Sequence, residues 1–301
     1  MNSIMDCPAC KSNKVKSYNI CGLLKCFECQ IVFDRAVKQG EKGNLDLTKE
    51  FFSEEEELDL WDKCFEKVNN QGTLRILNAF LDKKTLLEIG IGSGSFLNAA
   101  RKKGFDVEGV ELSSVRTKKV SQKYNILVHE GFIKDFKPAD RRFDIIVMRH
   151  VLEHMVDPAA ILSGLKRLLS PNGIVYICVP NVQSFEARLP GWSSYLPYHL
   201  FYYCPASLRK VVEKAHYRIL YEITREPFSG WFISCLRTML GLYGEKTNQR
   251  EQIRIRSQRT WKMHLYKGIM LIFGILITPF RWIQARFGYG EELVVIIQSE
   301  E

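Results

Sequence analysis

Residues 85–96 read TLLEIGIGSGSF, a short apolar run that breaks into glycines at 90, 92 and 94 before helical spacing begins. An apolar run bounded by glycine reads as a buried strand, and alternating glycines at a strand end let backbone approach a ligand closely. The unit then repeats. FDVEGVEL (105–112), ILVH (126–129), FDIIVM (143–148) and GIVYICVP (173–180) read as strands, with helices over 95–103, 114–124 and 158–169. Strands alternating with helices predict a parallel α/β sheet covered on both faces, with ligands at the carboxyl ends of the strands.

Two common phosphate-binding patterns fail here. A dinucleotide fingerprint needs Gly-x-Gly-x-x-Gly, but the third position is Ser95 counted from Gly90 and Leu97 counted from Gly92. No Gly-Lys-Ser/Thr follows, so a P-loop fails as well. What remains is Glu88-x-Gly90-x-Gly92-x-Gly94, with Glu111 ending the next strand. A tight turn without a ligand would also use such glycines.

This set resembles the glycine motif of class I S-adenosylmethionine-dependent methyltransferases. Three further stretches carry the resemblance. Residues 143–181 contain His150-Val-Leu-Glu153-His154 followed by Asp157-Pro158, similar to the ubiquinone-methyltransferase-like (type 23) branch. YHLFYYCPASLRKVVEKAHYRI (198–219) resembles that branch's next segment, and ELVVIIQ (292–298) fits the family's last, antiparallel strand. The resemblance implies a Rossmann-like seven-stranded methyltransferase sheet with helices on both faces, binding S-adenosyl-L-methionine. It implies cofactor contacts at Glu88, Gly90, Ile91, Gly92, Gly94, Glu111, Leu112, Phe132 and His150, with Glu111 on the ribose hydroxyls. It departs from the family at Gly131-Phe132, where an acidic residue is common near the adenine.

A hydroxyl acceptor needs a residue that removes its proton. The candidates are His154, His150, Glu153 and His199, with His154 preferred; local hydrogen bonding is the alternative role for these histidines. His150 and His154 share one side of a helix start, but their spacing alone does not argue for a metal. Tyr195, Tyr198, Phe201, Tyr202 and Tyr203 form either a substrate wall or a core edge, and His129 and His216 read as structural.

Five of the nine cysteines fall within the first 29 residues, and MNSIMDCPAC has no apolar leader core. That distribution does not suit a secreted disulfide scaffold and points to the cytoplasm. Cys7-x-x-Cys10 and Cys26-x-x-Cys29, separated by fifteen residues, predict a structural zinc ribbon over 1–38 rather than free or redox-active thiols. Cys21 reads as a packed thiol. A zinc ribbon also precedes a bacterial subgroup of the family, one associated with surface-polysaccharide and sugar methylation. Residues 39–84 read as a linker and helical lead-in, with Ser53 as N-cap ahead of Glu54–Glu57. The methyltransferase domain then occupies 85–301, with an insertion at about 231–290.

That insertion holds thirteen uncharged residues, 268–280, too few to span a bilayer. Lys262, Lys267, Arg281 and Arg286 flank them, with Trp261 and Trp282 near the ends. Between Lys246 and Lys267 there are seven Lys or Arg and one Glu, part of an overall charge of +9. Peripheral membrane contact through 261–286, at the inner face of the membrane, is the favoured expectation; a buried helix or a dimer contact is the alternative. Nucleic acid is disfavoured, because the apolar run would be wasted on it. The expected activity is O-methylation of a sugar or a lipid-linked small molecule. The alternatives are a non-catalytic binding protein with a retained cofactor pocket, or an RNA or protein methyltransferase.

Overall fold

The computed structural model describes residues 6–18, 20, 22–35, 37, 60–80, 85–196, 199–226, 230–239, 241, 272 and 276–300. Cys21, Ser53, the acidic run at 54–57, Tyr198, Trp261, Lys262 and Lys267 lie outside them.

Beyond the N-terminal strands β1 (Val15–Ser17), β2 (Leu24–Cys26) and β3 (Val32–Phe33), the first helix among the described residues is α1 (Leu60–Asn78). The alternating units follow as β4 (Thr85–Ile89), α2 (Ser95–Lys102), β5 (Asp106–Glu111), α3 (Ser114–Tyr124) and β6 (Leu127–Glu130). After them come β7 (Phe143–Arg149), α4 (Pro158–Leu165) and β8 (Leu169–Pro180). The C-terminal part adds β9 (Phe201–Tyr202), α5 (Pro205–Lys214), β10 (Tyr217–Arg225), α6 (Gly230–Met239) and β11 (Glu292–Ser299).

Seven of these strands form one sheet in the order β10-β11-β8-β7-β4-β5-β6. β4 through β8 pair in parallel, and β11 runs antiparallel to both neighbours, β8 and β10. The period-2 pattern of each strand divides its side chains between two cores. Leu87, Ile89, Ile146, Met148, Val175 and Ile177 belong to one. Leu86, Ile145, Val147, Ile174 and Tyr176 belong to the other, beneath Leu74 and Leu77 of α1. The sheet matches the expected seven-stranded methyltransferase architecture.

Two boundaries differ from the sequence reading. The helix expected to 169 ends at Leu165 and tightens into a 3₁₀ turn, Lys166–Leu168. β8 then starts early: Phe143 pairs with Leu169 but Ile145 pairs with Ile174, so the turn-like Ser-Pro-Asn-Gly is carried as a bulge. Asn172 takes a left-handed backbone there, with φ of 62°.

The N-terminal unit is not a separate bead. β3 pairs antiparallel with β9 (Val32 opposite Tyr202, Phe33 opposite Phe201), so a strand of the larger unit completes the ribbon's four-stranded sheet. Lys210 and Lys214 donate from α5 to the backbone carbonyls of Glu28 and Ala9.

Candidate active site

Glycine is needed at the first turn for two different reasons. Gly90 and Gly94 both have φ of 71°, and a Cβ on either would come within 2.5 Å of Val151 or Val120. Gly92 has φ of 53°, and a Cβ there would meet nothing within 4 Å, so its open side faces the ligand cavity. Glycine thus closes the turn twice and leaves a cradle once.

A cavity of about 890 Å³ opens at the carboxyl ends of β4, β5 and β7. Gly90, Gly92, Glu111, Leu112, Phe132 and His150 line it, as expected for the cofactor. Three expected contacts lie elsewhere. Ile91 is buried in the core with Phe96 and Leu97, and Gly94 is the N-cap of α2 against Val120. Glu88 is fully buried behind the loop.

Glu111 ends β5 with its Oε1 accepting from the Ser113 backbone N–H at 3.0 Å, which orients the carboxylate at the cavity wall. Glu88 is held by Arg149, which donates from Nε (3.2 Å) and Nη2 (2.9 Å) to one oxygen. Its other oxygen is buried without a hydrogen bond. Burial raises the Glu88 pKa to about 7 against the opposing Arg149 charge. Arg149 also donates to Asn70 at 2.8 Å and lies over the Phe96 ring at 4.3 Å. Asn70 donates to Ser95 and Ser93 donates to Glu66, so α1 fastens the glycine loop from outside. Arg149, Asn70 and Glu66 are missing from the sequence reading, because their meaning depends on contacts 25 to 79 residues away.

The acceptor side divides the four candidate bases. His150 and His154 line the cavity; Glu153 and His199 are buried behind it. His150 has φ of 54°, a backbone that costs a non-glycine residue about 1 kcal/mol or more. Its ring lies between Glu292 (3.0 Å from Nε2) and Glu153 (3.5 Å from Nδ1). Enclosure opposes its charge, but contacts with Cys178, Glu153 and Glu292 outweigh that and hold its pKa well above the ordinary value. Glu292 is in turn fixed by Arg225 at 2.6 Å. The two carboxylates favour the charged form of the ring, which makes His150 a positioning group between Glu153 and Glu292 more than a proton acceptor.

Glu153 is buried, which by itself would raise its pKa, yet His150, His154 and His199 bring it down to about 2. Burial, with His154 beside it, lowers His199 to about 3, so it is neutral. The rings of His154 and His199 meet edge to face at 4.8 Å. Glu153, His154 and His199 each offer a ligand atom within 4.8 Å of the other two. A carboxylate and two imidazoles suit a divalent cation as well as a proton relay. Spacing along the chain did not reveal this set, because His199 arrives from a distant loop.

Phe201, Tyr202 and Tyr203 are buried and Tyr195 packs on Trp192 and Tyr202, so the aromatic stretch is core edge, not cavity wall. Met155, Val156, Ala160 and Ile161 supply the apolar wall instead. His129 is structural as expected, paired with Glu108 at 2.8 Å.

At the ribbon, Cys7, Cys10, Cys26 and Cys29 place their sulfurs within 4.8 Å of one another, with 3.6 Å between Cys7 and Cys29 and between Cys10 and Cys26. Four thiolates on one zinc ion stand about 3.8 Å apart. The donor set fits a closed structural zinc site. Just after β3, the Asp34 backbone N–H donates to the carbonyl of Leu200, and that of Leu200 donates to the carbonyl of Glu153, both at 2.9 Å. The ribbon thus connects through two backbone hydrogen bonds to the residue that carries the buried carboxylate of the acceptor side.

Comparison with known proteins agrees with this geometry. A family model described as a methyltransferase domain matches residues 61–222. Ubiquinone biosynthesis O-methyltransferases from Pasteurella multocida and Histophilus somni are 29% and 30% identical over 117 residues. Those matches take in 34% and 36% of this chain and 48% and 49% of the relatives, so the chain spans about half the length of each. A crystal structure of an S-adenosylmethionine-dependent methyltransferase from Archaeoglobus fulgidus shares the fold, with a TM-score of 0.51 and 17% identity. That similarity covers 84% of this chain and 98% of the other.

Proposed function

This chain belongs to the methyltransferase-domain family whose model it matches, and on that premise we propose that it uses S-adenosyl-L-methionine to methylate an oxygen of a sugar or lipid-linked small molecule. The observation that carries the reading is one cavity joining Gly90, Gly92 and Glu111 on one side to His150 and His154 on the other. Its volume of about 890 Å³ leaves room for an acceptor beside a nucleoside.

The residues present fit the cofactor. Gly92 leaves a cradle, Glu111 offers a carboxylate for a ribose, and the Glu88 carboxyl lies beneath the loop with one oxygen that no hydrogen bond satisfies. Phe132 offers a ring face at the adenine side in place of an acidic residue. When bound, the cofactor supplies a methyl group already activated on a sulfonium. The protein's part is to align the acceptor, exclude water and take up a proton.

His154 is the residue for the proton: it faces the cavity, and Glu153 behind it stabilises the imidazolium that forms on a ring nitrogen. His199 stays neutral and packs against that ring. The relatives named above are O-methyltransferases, which supports oxygen as the acceptor atom. The apolar wall of Met155, Val156 and Ile161 favours an acceptor with an apolar part.

A second reading rests on the Glu153–His154–His199 donor set: a divalent cation there would bind the acceptor hydroxyl and lower its pKa. Radiolabelled methyl transfer to fractionated cell extract tests substrate class and metal together. Label in lipid or glycan fractions, insensitive to nuclease and protease, is expected. Label confined to RNA or protein would contradict the proposed acceptor. Loss of transfer with a chelator, restored by a divalent metal, would favour the second reading.

A further inference from the structure

The helical segment 276–286 is attached with its polar side inward. Arg281 is 6% exposed and pairs with Glu226 at 2.7 Å. Gln284 donates to Glu186 and Glu226 at 3.1 Å, and the Ala285 carbonyl accepts from Thr224 at 2.6 Å. The outward side is apolar: Leu276 is 68% exposed, Phe280 73%, Ile283 49% and Phe287 74%. Their spacing of four, three and four residues makes one continuous stripe on a helix. Trp282 beside it is 68% exposed. A surface helix ordinarily buries this stripe and shows the polar side to water. The inversion is anchored by buried carboxylates, so it is a built feature, and an apolar stripe of this kind marks an interaction surface.

We propose that this stripe docks on the surface of an anionic lipid bilayer. The charge that precedes it in the sequence decides between occupants. Seven Lys or Arg against one Glu lie between Lys246 and Lys267, and Arg286 is exposed on the segment itself. A chain this basic next to the segment in sequence is attracted to acidic headgroups. A symmetric contact with a second copy would bring together two segments of the same charge, each with its exposed Arg286. Among the described residues no helix is long and apolar enough to cross a membrane; in this proposal the segment lies in the interface with Trp282 at headgroup depth. The inference stands apart from the methyl-transfer reading, because lipid binding needs neither cofactor nor acceptor.

The test is flotation of the full-length protein with phosphatidylcholine vesicles, with and without phosphatidylglycerol. Partitioning at least about tenfold stronger onto the anionic vesicles, weakened by salt, is expected. The double substitution Phe280→Glu/Phe287→Glu should abolish it while leaving the melting temperature and S-adenosylhomocysteine affinity unchanged, since both side chains face solvent. Absence of flotation overturns the proposal, and so does flotation that the substitutions leave intact. A lipid-free dimer by light scattering that the substitutions dissociate, without flotation of the parent protein, would assign the stripe to a second copy.

Discussion

At the residue scale, the site separates histidines that look alike in sequence. His150 sits between Glu153 and Glu292, which favour its charged form, His199 is buried and neutral, and His154 faces the cavity. Only His154 combines access to an acceptor with a carboxylate ready to stabilise its charged form. His154→Asn should lower kcat by about 10²–10⁴-fold and leave cofactor affinity unchanged, as measured by steady-state kinetics beside equilibrium binding. An equal loss of cofactor binding would make His154 a cofactor residue instead. The glycine loop and Glu111 were legible because their chemistry is local, a strand end and the residues beside it. Glu292 was not: it appears in sequence as the polar start of an apolar strand, and only the β11 pairing brings it to His150.

At the scale of elements, the ribbon reaches the acceptor side through β3, β9 and Leu200. The paired cysteines predicted a metal-held unit, but nothing in their spacing showed that its sheet borrows Phe201–Tyr202 from the larger unit. The aromatic stretch around 201 was ambiguous for the same reason: buried strand and substrate wall share a composition. Zinc removal by a chelator, or Cys26→Ser, should therefore speed amide exchange at 199–203 as well as within 6–35. Exchange at 86–94 should stay slow and S-adenosylhomocysteine affinity should hold, because the cofactor half receives no hydrogen bond from the ribbon among the described residues. Unchanged exchange at 199–203 would show that β9 holds its place without the ribbon. The strands and helices around the cofactor were readable almost to the residue, since each buries a face with the correct period. The early start of β8 was not, because Ser-Pro-Asn-Gly has turn chemistry whether it ends a strand or bulges from one.

At the scale of the whole molecule, the carboxylates of Glu186 and Glu226 hold the inverted helical segment through Gln284 and Arg281, and the Glu291 carboxylate clusters with them. Burial raises all three pKa values, Glu226 to about 7 and Glu291 to about 8. The folded protein thus keeps protons that the unfolded chain releases above pH 4.5. Stability from this source is complete below that pH and is lost as the pH rises towards about 8, the reverse of ordinary acid unfolding. Glu291→Gln should flatten the fall in melting temperature across this window, and an unaltered slope would place the proton elsewhere. Sequence composition foretold a basic, apolar insertion but not which side of it faces outward, since that depends on partners far apart in the chain.

The central claim is that the loop at Gly90–Gly92 and the Glu111 carboxylate bind S-adenosylmethionine, and calorimetric titration with S-adenosylhomocysteine tests it most directly. Saturable binding is expected, weakened about tenfold to a hundredfold by Glu111→Ala, the loss of hydrogen bonds to a charged acceptor. A folded, zinc-loaded protein that does not bind, or a Glu111→Ala variant that binds as tightly as the parent, would contradict the account.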